Sequence, residues 1–247
     1  MNTIRPEGYN MLPLVVKNLI IINALFYIAT LSFGSVFHID LADYLGLHYF
    51  SSPNFQPHQL ITYMFMHSAI DFSHILFNMF ALWMFGATLE NYWGPKRFLT
   101  YYMVAGIGAG VIQLLIMFIQ AQSYMSAMTP DMVDRVLEEG PKIFELGRNY
   151  IDTNMGGLNA VINTTVVGAS GSVYGLLLAF GMMFPNSLIY VYFLFPIKAK
   201  WFVVIFGAIE LFSGIRGADN VAHFAHLGGM LFGFILIKIW KNKREIY

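Results

Sequence analysis

The 247-residue chain contains no cysteine. That excludes a disulfide framework, a thiol nucleophile and a thiolate metal site, and it leaves the redox state of the compartment unreadable. Charge is scarce: Asp, Glu, Lys and Arg make up 11% of residues, against about 25% in a soluble globular domain. Neither sign is in excess, with 14 basic and 14 acidic residues, so nothing points to nucleic acid or to an acidic partner. A His-Glu-x-x-His motif is absent, as are paired aspartates inside apolar runs, which removes two metal- or acid-based routes to hydrolysis in a membrane. There is no internal repeat, no low-complexity tract, and no short apolar leader with a small-residue cleavage site. Apolar length is what the chain has in quantity. Hydrophobic residues reach 57% and mean hydropathy is +0.59, so lipid is much of its solvent.

A hydrocarbon core of about 30 Å takes roughly 20 apolar helical residues to cross. Runs of about that character lie near 18–37, 72–90, 98–120, 166–184, 201–215 and 222–240. The expected fold is therefore an all-α polytopic membrane protein with six transmembrane helices. Residues 1–17 form a cytoplasmic N-terminal segment, 18–240 the membrane domain and 241–247 a cytoplasmic tail. Leu188–Ile197 is apolar but is cut by Pro196 and followed by Lys198 and Lys200, and reads as an interfacial loop. With both termini cytoplasmic, ten basic residues fall on the inner side and only Arg135, Lys142, Arg148 and Arg216 outside. Residues 121–165 become an external insertion. Within it Thr129-Pro130-Asp131 starts a helix, Gly140-Pro141 stops it, and Ile143, Leu146 and Tyr150 outline a second one.

All seven histidines fall in the outer half of this topology or in outer loops. Polar side chains at membrane depth are costly enough to suggest function. Ser170, four residues into the fourth run, and His226, four residues into the sixth, would lie level, each about 6 Å below its helix start. Gly171 and Gly175 in one run, and Gly229 and Gly233 in the other, have the small-xxx-small spacing that lets membrane helices approach closely. Such an approach could bring the serine hydroxyl to the imidazole; alternatively the glycines only pack helices and Ser170 bonds its own backbone. His74 and Asn78, at i and i+4, share a helix face and offer N–H donors suited to an oxygen that becomes negative in acyl transfer. For Asn78 a structural hydrogen bond to a neighbouring helix is the rival role. Glu90 reads as a structural acceptor on the inner side, and Glu210 as an easily solvated residue near the outer end of a short helix.

From about Gln59 to the last helix the chain resembles the rhomboid intramembrane serine proteases. The resemblance is carried by His74-xxx-Asn78 with Gly86 and Glu90, by Gly168-Ala-Ser170-Gly171-Ser-Val-Tyr174-Gly175, and by His223-Phe-Ala225-His226-Leu-Gly-Gly229-xxx-Gly233. It implies that Ser170 is the nucleophile, His226 the general base, and His74 and Asn78 the oxyanion donors. It further implies that Tyr174 stacks on the catalytic histidine, that His67 and His223 lie near the site, and that the substrate is a single-span membrane protein cut near its outer boundary. The Trp-Arg pair that many members carry between the first two helices is missing from 38–60, and the 121–165 connection is longer than usual.

No acid accompanies His226 at useful spacing, so the expectation is a Ser170–His226 dyad working through an acyl-enzyme, without metal or cofactor, on transmembrane protein substrates in a lipid bilayer. The alternative is a noncatalytic rhomboid-like protein that binds membrane clients. Substrates would arrive laterally past Trp201–Ile215, with Phe202, Phe206 and Phe212 as packing residues and Gly214–Val221 as a cap. A bacterial cytoplasmic membrane is the expected location, because an Arg-rich, Ser-rich transit segment is absent.

Overall fold

A computed structural model of the chain describes residues 8–191, 194–216 and 222–242. Within them the chain forms α1 (Leu14–Phe37), α2 (Leu41–Leu45), α3 (Gln59–Thr62), α4 (Phe72–Trp93), α5 (Pro95–Ser126), α6 (Pro130–Glu145), α7 (Thr153–Asn163), α8 (Ser170–Met183), a hairpin of β1 (Leu188–Val191) and β2 (Phe195–Lys198), α9 (Ala199–Arg216) and α10 (His223–Asn242). Four helices, α1, α4, α5 and α10, are long and apolar enough to cross a membrane by themselves. Of the six expected spans, the other two are represented by α8, only 14 residues long, and by α9, which carries Lys200, Glu210 and Arg216. The architecture is that of a helical, multi-pass membrane protein.

The core lies where α5, α8 and α10 converge, around Phe98, Tyr101, Tyr102, Leu176 and Ile237, all fully buried. Small residues set the spacing there. A Cβ placed on Gly171 would lie 2.5 Å from the Ala109 Cβ, and one on Gly175 2.6 Å from the Ala105 Cβ, so neither position admits a side chain without displacing α5. Tyr101 Oη donates to the Gly175 carbonyl (2.8 Å) and Ser172 Oγ to the Tyr102 carbonyl (2.9 Å), which pairs polar groups that would be costly to leave open in lipid. At the periphery, Glu90 near the end of α4 accepts from the backbone amides of Val15 (2.9 Å) and Val16 (2.8 Å). It caps the start of α1, whose own N-cap residue, Pro13, offers no side-chain acceptor.

Several boundaries differ from the sequence reading, each for a local reason. The fourth helix starts at Ser170 rather than 166. Val166 instead pairs with Leu47 in an isolated antiparallel bridge, and Gly168 turns the chain with φ of +137°, a conformation closed to most side chains. The depth estimate that put Ser170 four residues inside its helix is therefore corrected: it is the first helical residue. Gly140-Pro141 does not stop α6, which continues to Glu145. Gly140 lacks the Cβ that contributes to the clash before a proline, which eases the helical conformation there. The same glycine faces Asn159, since a Cβ on it would meet Oδ1 at 2.2 Å, and so α7 packs closely on α6.

The second external helix is Thr153–Asn163, capped by Asp152 through the amides of Asn154 and Met155 (2.9 Å each), and not the Ile143–Tyr150 segment. α5 also runs past 120 to Ser126, so the insertion stands on an extension of that helix. A second apolar cluster, including Met117, Val136, Leu158 and Ile162, ties the insertion to it. Leu188–Val191 and Phe195–Lys198 pair as antiparallel strands rather than forming a loop, with Leu188 opposite Lys198. Of the expected Gly214–Val221 cap, residues 217–221 lie outside the described residues, as do the first seven residues and 243–247 with Lys243 and Arg244.

Candidate active site

Ser170 heads α8. Ala169 before it supplies no side-chain cap, so the positive end of the helix dipole lies at the serine. His226 sits in the first turn of α10 and is buried. Close approach of these helices depends on glycine: a Cβ on Gly229 would lie 1.9 Å from the Gly171 carbonyl oxygen of α8, and one on Gly233 would lie 2.1 Å from Tyr101 Oη of α5. Across the resulting contact His226 Nε2 is 2.8 Å from Ser170 Oγ. The Tyr174 ring, one turn along α8, stacks on the imidazole with centroids 4.2 Å apart and planes within 6°.

The other nitrogen of His226 has a partner that the sequence reading dismissed. Nδ1 lies 2.8 Å from Glu210 Oε2, and His223 Nδ1 lies 2.6 Å from the same oxygen. Tyr174 Oη donates to Glu210 Oε1. Glu210 is buried, 5% exposed, and not the solvated helix-end residue expected; α9 runs a further six residues, to Arg216, and turns this position inward against α8 and α10. The statement that no acid accompanies His226 is corrected accordingly. A usable signal was present in the sequence, since a lone carboxylate inside an apolar helix needs donors, but sequence separation of 16 residues on another helix gave no cue to which donors.

Glu210, His223 and His226 bring three ligand-type atoms within 4.8 Å of one another, a residue set found around zinc. The spacing is that of hydrogen bonds, however. Ligands around a metal with bonds of about 2.0–2.1 Å sit roughly 3.3 Å apart, whereas the two nitrogens approach one carboxylate oxygen at 2.6 and 2.8 Å.

His74 and Asn78 flank the serine from α4. A Cβ on Gly168 would lie 3.0 Å from His74 Nε2 and 3.3 Å from Ser170 Oγ, so this glycine backbone is the floor between the two groups. Asn78 Nδ2 donates to the His74 carbonyl (2.9 Å), which uses one of its two N–H bonds. His67 is buried with its ring edge-on to His74, centroids 5.1 Å apart, and burial, with the neighbouring His74 adding to it, pushes its pKa down to about 4.

A cavity of about 1290 Å³ contains Ser170, His226, His74, Asn78 and Tyr174 in its wall. Its wall also includes Met84 and Phe85 of α4, Phe202 and Phe206 of α9, Gln113 and Gln120 of α5, and Asn149 and Thr164 of the insertion. Phe202 and Phe206 stack on each other at 4.3 Å. Phe212, grouped with them from sequence, points away: it is 56% exposed and lies beneath the Arg216 guanidinium at 4.2 Å.

Residues 54–242 match the family model described as the Rhomboid domain, more than half of the chain. The chain belongs to the rhomboid family. Rhomboid relatives with curated names include RHOMBOID-like protein 12, mitochondrial, of Arabidopsis thaliana, 27% identical over 70% of this chain and 43% of its own length. Rhomboid protein 1, mitochondrial, of Saccharomyces cerevisiae is 25% identical over 71% of this chain and 41% of its own. Rhomboid-like protease 5 of Toxoplasma gondii is 41% identical over a shorter stretch, 33% of this chain and 10% of that protein. The rhomboid chain thus spans about half or less of the length of these relatives. The names that carry an address are mitochondrial, so the expected bacterial cytoplasmic membrane gains no support from them.

Proposed function

We propose that this rhomboid is an intramembrane serine endopeptidase that cleaves single-span membrane proteins near the membrane boundary on the side of the insertion. One observation carries the reading: a serine hydroxyl 2.8 Å from an imidazole nitrogen, inside a cavity walled by apolar helices. A serine is a weak nucleophile until a positioned base takes its proton. In the proposed reaction Ser170 Oγ attacks the scissile carbonyl carbon as its proton passes to His226 Nε2. The oxyanion is stabilised by His74, by the remaining Asn78 N–H and by the uncapped amides that begin α8. His226 returns the proton to the amine as the C–N bond breaks, leaving an acyl ester on Ser170. A water then gives its proton to His226 and attacks the ester, releasing the acid and restoring the hydroxyl.

The mixed wall of the cavity supports the same reading. Met84, Phe85, Phe202 and Phe206 give apolar surface that suits an arriving helix, and Gln113, Gln120 and Asn149 give polar surface that suits water. A substrate helix must unwind locally to present a peptide bond, since its amides are otherwise satisfied internally. The mitochondrial names of its relatives make a mitochondrial membrane the proposed setting of this multi-pass protein.

A fluorophosphonate probe is expected to label the wild-type protein and not Ser170→Ala. In liposomes containing a single-span substrate, Ser170→Ala and His226→Ala are each expected to lose turnover by on the order of a million-fold. Absence of labelling on folded wild-type protein would favour the noncatalytic client-binding alternative. A variant retaining a tenth of the activity would remove its residue from the mechanism.

A further inference from the structure

We infer that Glu210 is a positioning residue of the reaction centre, making the operative unit Ser170–His226–Glu210 rather than a serine–histidine pair. The inference rests on the protease reading above and adds a third member to it. An ionised carboxylate only accepts hydrogen bonds. Its Oε2 meets the Nδ1 atoms of His226 (2.8 Å) and His223 (2.6 Å), and its Oε1 receives the Tyr174 hydroxyl. Both imidazoles therefore carry their proton on Nδ1 when neutral. For His226 that choice leaves the Nε2 lone pair at Ser170 Oγ, 2.8 Å away, which is the tautomer a general base requires. The opposite tautomer would aim an N–H at the hydroxyl and a lone pair at the carboxylate.

Orientation follows from the same contacts. The imidazole plane is fixed by Tyr174 stacked on one face at 4.2 Å, and its rotation about that stack is fixed by Glu210 on one edge and Ser170 on the other. Tyr174 serves twice, since its ring holds His226 and its hydroxyl holds the carboxylate. When His226 takes the serine proton it becomes an imidazolium in a buried place, where an unpaired charge is expensive. Glu210, 5% exposed and already desolvated, lies against the nitrogen that shares that charge, while its second donor, His223, keeps the carboxylate satisfied. The arrangement is the role assignment of a serine–histidine–acid triad, met on helices in a membrane.

Glu210→Gln keeps size and removes the charge and one acceptor. It is expected to lower kcat by on the order of ten-thousand-fold, the loss seen when the acid of such a unit is removed, with KM for the single-span substrate within threefold of wild type. The rate of fluorophosphonate labelling of Ser170 should fall in parallel. Glu210→Asp keeps the charge on a shorter arm and should fall between the two, with kcat about tenfold or more below wild type yet at least tenfold above Glu210→Gln, an order that a purely structural contact would not give. His223→Gln, which leaves His226 its own bond to Glu210, should cost no more than about tenfold.

Wild-type cleavage and Ser170→Ala inactivity, measured in the same liposomes, fix the protease reading first. With those in hand, a folded Glu210→Gln enzyme within threefold of wild-type kcat would overturn the assignment and leave the Ser170–His226 pair standing. If Glu210→Gln is not recovered folded, Glu210→Asp decides alone: unchanged kcat with a lowered melting temperature would overturn it, and a kcat loss at unchanged KM and melting temperature would support it.

Discussion

Gly229→Ala tests whether backbone contact between α8 and α10 sets the chemistry. The added methyl would lie 1.9 Å from the carbonyl oxygen of Gly171, which is backbone and cannot rotate away. Reaching ordinary van der Waals distance requires the helices to separate by about 1.5 Å. Gly171 adjoins Ser170, and Gly229 is three residues from His226, so the opening acts directly on the 2.8 Å contact between them. Stretched by even 1 Å, that contact passes beyond useful hydrogen-bond length. A misplacement of this size costs about a hundred-fold in rate, and the overpacking itself about 1–3 kcal/mol in stability. The assay is cleavage of a single-span substrate in liposomes together with the melting temperature in detergent. Gly34→Ala is the control, because a Cβ at Gly34 meets nothing within 4 Å. Gly229→Ala activity within threefold of Gly34→Ala, with equal melting temperatures, would refute the idea that this contact positions the pair.

Asn78→Ala is expected to lower turnover by about a hundred- to a thousand-fold with little change in KM; unchanged turnover with a lower melting temperature would make Asn78 purely structural, through its bond to the His74 carbonyl. His67, with its pKa lowered from an unfolded value near 6.5 to about 4, stabilises the fold above pH 6.5, and that contribution, about 3 kcal/mol at most, is lost as pH falls toward 4. The melting temperature of His67→Gln should accordingly fall less between pH 7 and pH 4.5 than that of wild type, and parallel pH dependences would count against it. Phe202→Ala and Phe206→Ala, which remove rings from the cavity wall, should raise cleavage of membrane substrates while small soluble esters change little, with Phe212→Ala as an inert control. Equal effects of all three on both substrate classes would remove α9 from the path.

The glycine spacing was legible because it reflects a requirement that one residue type alone meets: Gly171, Gly175, Gly229 and Gly233 sit where a Cβ would strike a neighbouring helix. The long spans were legible because length and apolarity are summed over many residues. Local punctuation was less reliable. Pro141 failed as a stop inside α6, where Gly140 before it lacks the Cβ that adds to the pre-proline clash, and the start of α8 was misplaced because Val166 is as apolar as a helical residue but is drawn into a bridge with Leu47. Glu210 was misjudged because its neighbours in sequence say nothing of His223, His226 and Tyr174, which reach it from two other helices.

The bond from Glu90 to Val15 and Val16 has a consequence for how the protein meets bilayers of different thickness. Apolar helices in contact have nearly equivalent registers a turn, about 5.4 Å, apart, and sliding between them is one way to absorb mismatch. Two backbone amides held by one carboxylate at 2.8–2.9 Å have a single register. Slipping α1 along α4 would unpair both donors, and for the buried Val16 amide the loss costs about 1–3 kcal/mol. The pair is a vernier locked at one mark. A thicker or thinner membrane must then be met by tilting the two helices together or by deforming the surrounding lipid.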